Sequence, residues 1–369
     1  MASEPAKAKV LHISSQLDFG GVEEHSSIIA EYSSSSSFHH EFAAISRGGP
    51  AAEKITKAGA ATYILRQSVS IPSFKTLHRL IILLREVRPT VVHTRGASAN
   101  FHGVLAAAYM RVPVVIAEEI GFPSHSTKAR IVFRTIYRAT DKVIAISDAV
   151  AQQLVELGEI RQNKVCVVYN PVRPVPPIGP SKEEKSKFTI GFVGRLEPVK
   201  NPLSLVQAVE NLKRKEINVF LKIVGDGSQR LLLEENISKL GIADQVSLIG
   251  FKSNPFNELA DCDLYVQPSL SEGFGLALAE AMSAGIPVLA TSTGGAKEFV
   301  KEGETGWLLG ALDACNIARK IEKVICMNPD LRGIVAASGQ AEVARFRPEY
   351  YINTVDRIYD EILTQKGFR

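Results

Sequence analysis

The sequence predicts an α/β protein built from two doubly wound, parallel-sheet domains. Three observations carry this reading. Short β-branched runs alternate with helical patterns along nearly the whole chain. Most of those runs are continuously apolar, as strands covered by helices on both faces must be. A proline-rich and then charged stretch divides the runs into two series. At 369 residues the chain can hold two ordinary domains, each with its own core.

The first series of expected strands is 10–14, 42–45, 62–65, 91–94, 114–117, 143–146 and 165–169. The second is 189–193, 219–224, 246–249, 264–267, 288–290 and 307–309. The boundaries that follow are a first domain over 1–172, a linker over 173–187 and a second domain over 188–346. Residues 347–369 then form a last helix, with Tyr351, Val355, Ile358 and Ile362 at helical spacing. The five-serine run 33–37 reads as an exposed loop without chemistry.

A hydrophobic fraction of 45% and a charged fraction of 22% are those of a soluble globular protein. A net charge of +4 is too small to argue for nucleic acid by itself. Cys166, Cys262, Cys315 and Cys326 show neither C-x-x-C nor zinc spacing, which suits free thiols in a reducing cytoplasm. The opening MASEPAKAKV has no apolar signal core, and no stretch approaches the ~18 residues that span a bilayer. The expected setting is cytoplasmic, at most peripheral on the cytoplasmic face of the inner membrane.

The most informative run is PSLSEGFGLALAEAMSAGIPVLATSTGG, residues 268–295. Glu272 and Glu280 stand eight apart in it. A helix opens at about Gly275 and ends at Gly285 and Pro287. Free N–H groups make a helix start an anion site. Glu280 lies one turn inside, where a carboxylate suits a diol such as a ribose. Glu272 precedes the helix and can reach the group beyond a phosphate. The layout points to a sugar–diphosphate–nucleoside, with the Phe274, Gly275 and Leu276 backbone lining it.

Gly194-Arg195-Leu196-Glu197-Pro198-Val199-Lys200-Asn201-Pro202 follows the first strand of the second series. Asn201 reads as an N-cap and Pro202 as the first helical residue. Arg195 and Lys200 thus sit in a strand-to-helix loop, where a guanidinium fork and an ammonium suit a diphosphate.

Taken together, E-x7-E at Glu272 and Glu280 and G-R-L-x-x-x-K-N at 194–201 resemble the retaining glycosyltransferases of family 4, which have the GT-B fold. The resemblance is strong from about Phe188 to Gly310 and weaker before that. It implies two Rossmann-like domains facing a cleft, with the last helix crossing back to the first domain. It implies sugar transfer from a nucleotide diphosphate sugar, a UDP-sugar favoured, to a hydroxyl of a glycan or lipid-linked acceptor. The setting it suggests is polysaccharide or lipopolysaccharide synthesis. In this reading Arg195, Lys200 and Glu272 are catalytic. A nucleotide-sugar 2-epimerase of the same architecture is the alternative. Neither cofactor nor metal is expected.

Other loops have two readings each. Gly225-Asp226-Gly227-Ser228 is a tight turn lining the nucleotide, with Arg230 where a dinucleotide fingerprint would have its third glycine. Gly250-Phe251 is either a base contact or a plain strand exit. Gly20-Gly21 lets backbone approach a ligand or simply turns the chain; the resemblance places it near phosphates and acceptor. His93 ends a strand at the same edge and either meets sugar hydroxyls or is structural. Where many relatives carry a histidine, this chain has Glu118-Glu119. Asp261-Cys262-Asp263 mimics a D-x-D metal motif but precedes its strand, at the wrong edge for a ligand. Lys128, Arg130, Arg134, Arg138 and Lys142, interleaved with Ile131, Val132, Phe133 and Ile136, form a basic helix over 128–142 that lies on an anionic membrane or presents a solvated face.

Overall fold

The computed structural model describes residues 7–18, 20–123, 125–176 and 187–368. The chain divides into two compact units, Met1–Pro171 with Phe346–Arg369, and Val172–Arg345. Most of the expected linker, residues 177–186, and the first six residues of the N-terminus lie outside the described residues.

In the first unit the elements run β1 (Lys9–Ser14), α1 (Gly21–Tyr32), β2 (His39–Ala44), α2 (Pro50–Lys57), β3 (Thr62–Ile64), α3 (Phe74–Val87), β4 (Val91–Arg95), α4 (Ala97–Tyr109), β5 (Val114–Glu119), α5 (Thr127–Arg138), β6 (Lys142–Ala145), α6 (Asp148–Glu156) and β7 (Val165–Val167). The second unit continues with β8 (Phe188–Val193), α7 (Pro202–Lys213), β9 (Val219–Val224), α8 (Arg230–Lys239), β10 (Val246–Gly250), β11 (Leu264–Gln267), α9 (Leu276–Ser283), β12 (Val288–Thr291), β13 (Trp307–Leu309), α10 (Ala314–Ile325) and α11 (Pro329–Val343). The last helix, α12 (Pro348–Gln365), belongs to the first unit.

The first sheet has the order β3-β2-β1-β4-β5-β6-β7 and the second β10-β9-β8-β11-β12-β13. All pairings among the described residues of both sheets are parallel. Each order reverses once, between β1 and β4 in the first and between β8 and β11 in the second. Loops leaving adjacent strands in opposite directions open a crevice there, at the carboxyl edge.

The apolar stripe of α12 is why it stays with the first sheet. Tyr351, Val355, Tyr359 and Ile362 join Val10, Phe42, Val91, Ile116 and Ile144 in one core. Burying four such side chains contributes on the order of 2 kcal/mol each. The second core combines Ile190, Phe192, Leu221, Ile223 and Val266 with Leu205, Val209, Ile317 and Ile321 from the flanking helices.

Two expectations about polar residues fail. The serine run is not simply an exposed loop. Ser33–Ser35 form a short helical turn, and Ser36 is buried. Its Oγ and the Ser37 amide each donate to Asp356 Oδ2 of α12 at 2.8 Å. His93 does not end its strand. It lies in the middle of β4, 0% exposed, with Nδ1 2.6 Å from the Tyr359 hydroxyl and Nε2 3.0 Å from Glu118 Oε2.

Glu118 is the centre of a buried polar network. Arg95 Nε donates to its Oε2 at 2.7 Å, and the Tyr351 hydroxyl donates at 3.3 Å. His25 Nδ1 of α1 stands 3.6 Å from Oε1. Burial pushes the Glu118 carboxyl up, but the Arg95 guanidinium, His25 and His93 together outweigh burial and hold the carboxyl below the usual range. Burial also lowers His25 and His40 to about 3, and lowers His12 and His93 as well.

Those histidines set the acid stability of the first unit. A histidine kept neutral by burial binds its proton more readily when unfolded. Its contribution is therefore whole above the ordinary imidazole value of 6.5 and shrinks as pH falls toward about 3. Each such histidine costs up to ~1.4 kcal/mol per pH unit in that window. Glu119 and Asp356, both raised by burial, act in the opposite sense but supply two protons against four histidines. Melting temperature measured by calorimetry should drop steadily from pH 7 to pH 4.5. A flat profile would show that these imidazoles are solvated.

Candidate functional site

The second unit brings its two sequence motifs to the β8/β11 crevice. Lys200 leaves β8 through a short helical turn, Pro198–Lys200, and Glu272 lies in the loop after β11. Lys200 Nζ donates to Glu272 Oε2 at 2.6 Å. Gln267 Nε2, from the last residue of β11, donates to the same oxygen at 2.7 Å, and Ser269 Oγ at 3.2 Å. All three side-chain bonds to Glu272 among the described residues reach Oε2. Oε1 is thereby left for a further donor.

Gln267 and Ser269, which hold the Glu272 carboxylate, were not singled out from the sequence. The only signal was their place in the Pro268-Ser269 lead-in to Glu272. Gln267 is itself fixed, since the Tyr265 hydroxyl donates to its Oε1 at 3.0 Å. An alternation of β11 side chains between two faces puts Tyr265 and Gln267 on one side, which is how one can orient the other.

The helix after Glu272 is α9, with Gly275 at its N-cap at φ 101°. Only glycine adopts that backbone without strain. Glu280 lies one turn inside and is half-buried. Leu276 opens the helix, partly exposed. Phe274 keeps its side chain away from the crevice. Its ring is buried and packs against Phe299 at 5.3 Å between centroids, so only its backbone can face a ligand. The loop is backed by Gly295, whose amide donates to the Glu272 carbonyl at 3.1 Å. A Cβ there would stand 2.4 Å from the Gly273 carbonyl.

The β8 and β9 loops are joined as closely. A Cβ on Gly225 would fall 1.9 Å from the Gly194 carbonyl, and one on Gly227 2.6 Å from the Leu196 carbonyl. Glu197 adds a clasp, accepting from Ser228 Oγ at 2.7 Å and from its amide at 3.1 Å. Those bonds hold its carboxyl below the usual range. Arg195, between Gly194 and Leu196, is exposed at the same edge. Asn201 does precede α7, with Pro202 first in the helix, but its side chain does not cap it. It donates instead to the Leu312 carbonyl at 2.9 Å. Phe251, just past β10, is 55% exposed.

Asp261 and Asp263 lie before β11, at the amino edge, away from these loops. Lys222 Nζ donates to Asp261 at 2.5 Å, and the Thr189 amide donates to Asp263 at 2.8 Å. Among the described residues no group of three or more His, Cys, Asp or Glu side chains is placed to hold a metal ion.

In the first unit, Gly20 stands at the β1/β4 crevice with φ 139° and caps α1, which begins at Gly21. Glu118 and Glu119 face inward and are buried. Asn100 Nδ2 donates to Glu119 at 2.8 Å, and the Tyr137 hydroxyl donates to it as well. The basic segment ends earlier than expected: α5 stops at Arg138, and Lys142 starts β6. Its Phe133 and Ile136 are buried, while Ile131 and Val132 are exposed. No helix among the described residues is long and apolar enough to cross a membrane.

Comparison with known proteins agrees with this geometry. Residues 19–175 match the family model "Glycosyltransferase Family 4", and residues 178–338 match "Glycosyl transferases group 1". The capsular polysaccharide biosynthesis glycosyltransferase CapM of Staphylococcus aureus is 27% identical, over 79% of this chain and 82% of that protein. A UDP-Gal:alpha-D-GlcNAc-diphosphoundecaprenol alpha-1,3-galactosyltransferase of Escherichia coli is 28% identical, over 69% of this chain and 71% of that one. The fold is similar to that of Anabaena HepE in complex with UDP, with a TM-score of 0.80 at 21% identity, covering 96% of this chain and 100% of that one. The chain belongs to the family 4, group 1 glycosyltransferases and has their two Rossmann-like units. Neither the family models nor these relatives favour the 2-epimerase alternative.

The contact between Gly225 and Gly194 is a test of how the loops serve the site. Gly225→Ala must push the Arg195 loop aside and strain a backbone at φ 143°. Nucleotide affinity, read by calorimetric titration, should fall tenfold or more. Unchanged affinity would mean the two loops need not touch.

Proposed function

We propose that the chain transfers a hexose-type residue from a nucleotide diphosphate sugar, a UDP-sugar favoured, to a hydroxyl of a glycan or lipid-linked acceptor, with retention at the anomeric carbon. The observation that carries this is the Lys200–Glu272 contact at the β8/β11 crevice, beside the start of α9. A diphosphate entering there competes with Glu272 for Lys200. The ammonium then turns to the phosphate, and the carboxylate, still held by Gln267 and Ser269, accepts from sugar hydroxyls. Arg195, Lys200 and the α9 amides together offset charge on the leaving diphosphate. Glu280 takes the ribose diol. The Gly194, Gly225, Phe251, Gly275 and Leu276 backbone lines the nucleotide.

The donor class finds support in HepE, whose structure contains UDP, and in the UDP-Gal donor of the Escherichia coli relative. That relative's diphosphoundecaprenol-linked acceptor supports a lipid-linked one here. Glu272 is engaged by its neighbours through one oxygen and serves better as a hydroxyl acceptor than as a nucleophile. Same-face attack through a cation-like transition state is therefore the preferred route to retention. Two side-chain cations and a helix start make a divalent ion unnecessary for the leaving group.

Arg195→Ala and Lys200→Ala should each lower turnover on the order of a hundredfold. Release of free nucleotide across a donor panel is the measurement. Near-normal rates in both variants would remove the site from these loops. Excess EDTA should leave transfer intact, and complete loss restored by manganese would return Asp261 and Asp263 to the mechanism. NMR of the new linkage should show the donor's anomeric configuration; an inverted product would exclude retention.

A further inference from the structure

The Glu272 carboxylate is aimed by a buried chain of side chains that ends in a phenol. Tyr265 and Gln267 of β11 are 0% and 3% exposed, and Ser269 is buried as well. Gln267 Nε2 stands 2.7 Å from Glu272 Oε2, and Gln267 Oε1 stands 3.0 Å from the Tyr265 hydroxyl. The same hydroxyl lies 3.2 Å from the Val193 carbonyl at the end of β8. An amide has a donating end and an accepting end, and its partners decide which way it points. An ionised carboxylate only accepts, so the end that faces Glu272 is the NH2. The end that faces Tyr265 is then the carbonyl, and the phenol gives its proton to Gln267 rather than to Val193. Burial, with the Glu272 and Glu280 carboxylates near it, holds that phenol well above its ordinary range, so it stays a donor at neutral pH.

This chain matters most once Lys200 is gone. The ammonium is the one charged partner of Glu272 and the most exposed of the three, with 22% of its side chain open to solvent. On the reading proposed above, a diphosphate draws it away. Two neutral donors then hold Glu272: Gln267 at 2.7 Å and Ser269 at 3.2 Å. The amide bond is the shorter, and Gln267 is held at both ends. A side chain pinned at both ends does not follow the ammonium outward, so Oε2 stays against β11 and Oε1 stays free for a hydroxyl. Ordering the carboxylate in advance removes a cost that binding would otherwise bear.

We propose that Gln267, oriented by Tyr265, is a positioning residue for sugar transfer: it keeps Glu272 in place to accept donor-sugar hydroxyls after Lys200 has turned to the diphosphate. It touches no reacting atom. The inference rests on the transferase reading and deepens it, since it separates the grip on the sugar from the grip on the diphosphate. The diphosphate keeps Arg195, Lys200 and the α9 amides whatever stands at 267. An acid of the same shape exposes the role. Gln267→Glu puts a second carboxyl where the amide stands, and two carboxyls that share a site keep one proton well above the ordinary carboxylate range. That proton replaces the missing N–H until rising pH removes it. The other ionisable groups near position 267 are the Tyr265 phenol, the Lys200 ammonium from the loop after β8 and the Glu280 carboxylate from α9. Glu280 favours keeping the proton. Lys200 opposes it, and that opposition ends when the donor draws Lys200 away.

The test is calorimetric titration of the full chain with the nucleotide sugar turned over fastest in a panel of UDP-, GDP- and ADP-sugars, and with its nucleoside diphosphate alone. Gln267→Leu should weaken the nucleotide sugar about tenfold, as loss of a bond to a charged group does, and leave the diphosphate within about twofold. Tyr265→Phe should show the same split at about threefold, because the amide is then free to flip. Gln267→Glu should match the wild type for the nucleotide sugar at pH 5.5 and bind it about tenfold more weakly than the wild type at pH 8. Equal losses for both ligands would make Gln267 a packing residue of the loop, and a Gln267→Glu variant without acid recovery would overturn the positioning role. If Gln267→Leu fails to fold, the acid recovery of Gln267→Glu decides alone. A second readout needs no donor. In protein carrying nitrogen-15 glutamine, the Gln267 side-chain amide is the NMR signal missing from Gln267→Glu. Its hydrogens should exchange with solvent on the order of a hundredfold more slowly than those of exposed glutamines, and faster in Tyr265→Phe. An unprotected amide would overturn the proposal. A protected amide in a chain that turns over no nucleotide sugar would leave the held carboxylate standing and sink the transferase reading instead.

Discussion

A parallel sheet sends every strand-to-helix loop out of the same edge, and the site of the second unit depends on that constraint. Lys200 and Glu272 are 72 residues apart, yet they meet because β8 and β11 are neighbours at the point where strand order reverses. The helices that follow those strands leave in opposite directions and cannot cover the gap. Polar and charged loop residues can therefore face one another there without being sealed into the core. The glycines at 225, 227 and 295 serve the same end. Each sits where a side chain would strike a neighbouring loop's backbone, so the loops close to hydrogen-bonding distance.

Contact of this kind also explains how the ligand groups are kept ready. A lysine and a glutamate alone in a loop would sample many rotamers, and ordering them would cost binding energy. Here the carboxylate is held by Lys200, Gln267 and Ser269, and Gln267 is held by Tyr265. On the proposed reading the donor exchanges one partner in this set and leaves the others in place. Glu197 does comparable work on the neighbouring loops by binding Ser228. It lies at the surface, so it organises the loops with little of the desolvation penalty of a buried ion.

Much of this was legible in the sequence, and the boundary of legibility has physical causes. Strand positions were visible because a strand covered on both faces must be apolar throughout, and the helix at 276–283 was visible because Gly275 and Gly285 bracket it. Polar side chains were harder. A histidine in an apolar strand looks the same whether it faces a ligand or another strand's partner, and His93 turned out to face Glu118 and Tyr359. The serine run has the composition of a solvated loop, but Asp356, 320 residues away, turns Ser36 into a buried bond partner. Phe274 sits inside a ligand-binding motif and nonetheless spends its ring on Phe299. Gln267 was invisible for the opposite reason: its chemistry is ordinary, and only the register of β11 aims it at Glu272.

The Glu118 network shows the same limit at larger scale. Arg95, Glu118 and His25 come from β4, β5 and α1, and Tyr351 comes from α12 at the far end of the chain. A buried Arg–Glu pair is a poor source of net stability, because desolvation consumes most of the attraction. Its value lies in geometry. An apolar stripe on α12 would allow the helix to slide or rotate against the sheet, whereas the Tyr351 hydroxyl meets both Arg95 and Glu118 only in one register. Ser36 and Ser37 fix the next turn through Asp356, and His93 fixes the one after through Tyr359. Three polar bonds at 351, 356 and 359 thus specify where a hydrophobic helix sits. Because α1 contributes His25 to the same cluster, the helix that begins at Gly21 is referenced to β4 and β5 as well, and with it the glycine turn at the β1/β4 crevice.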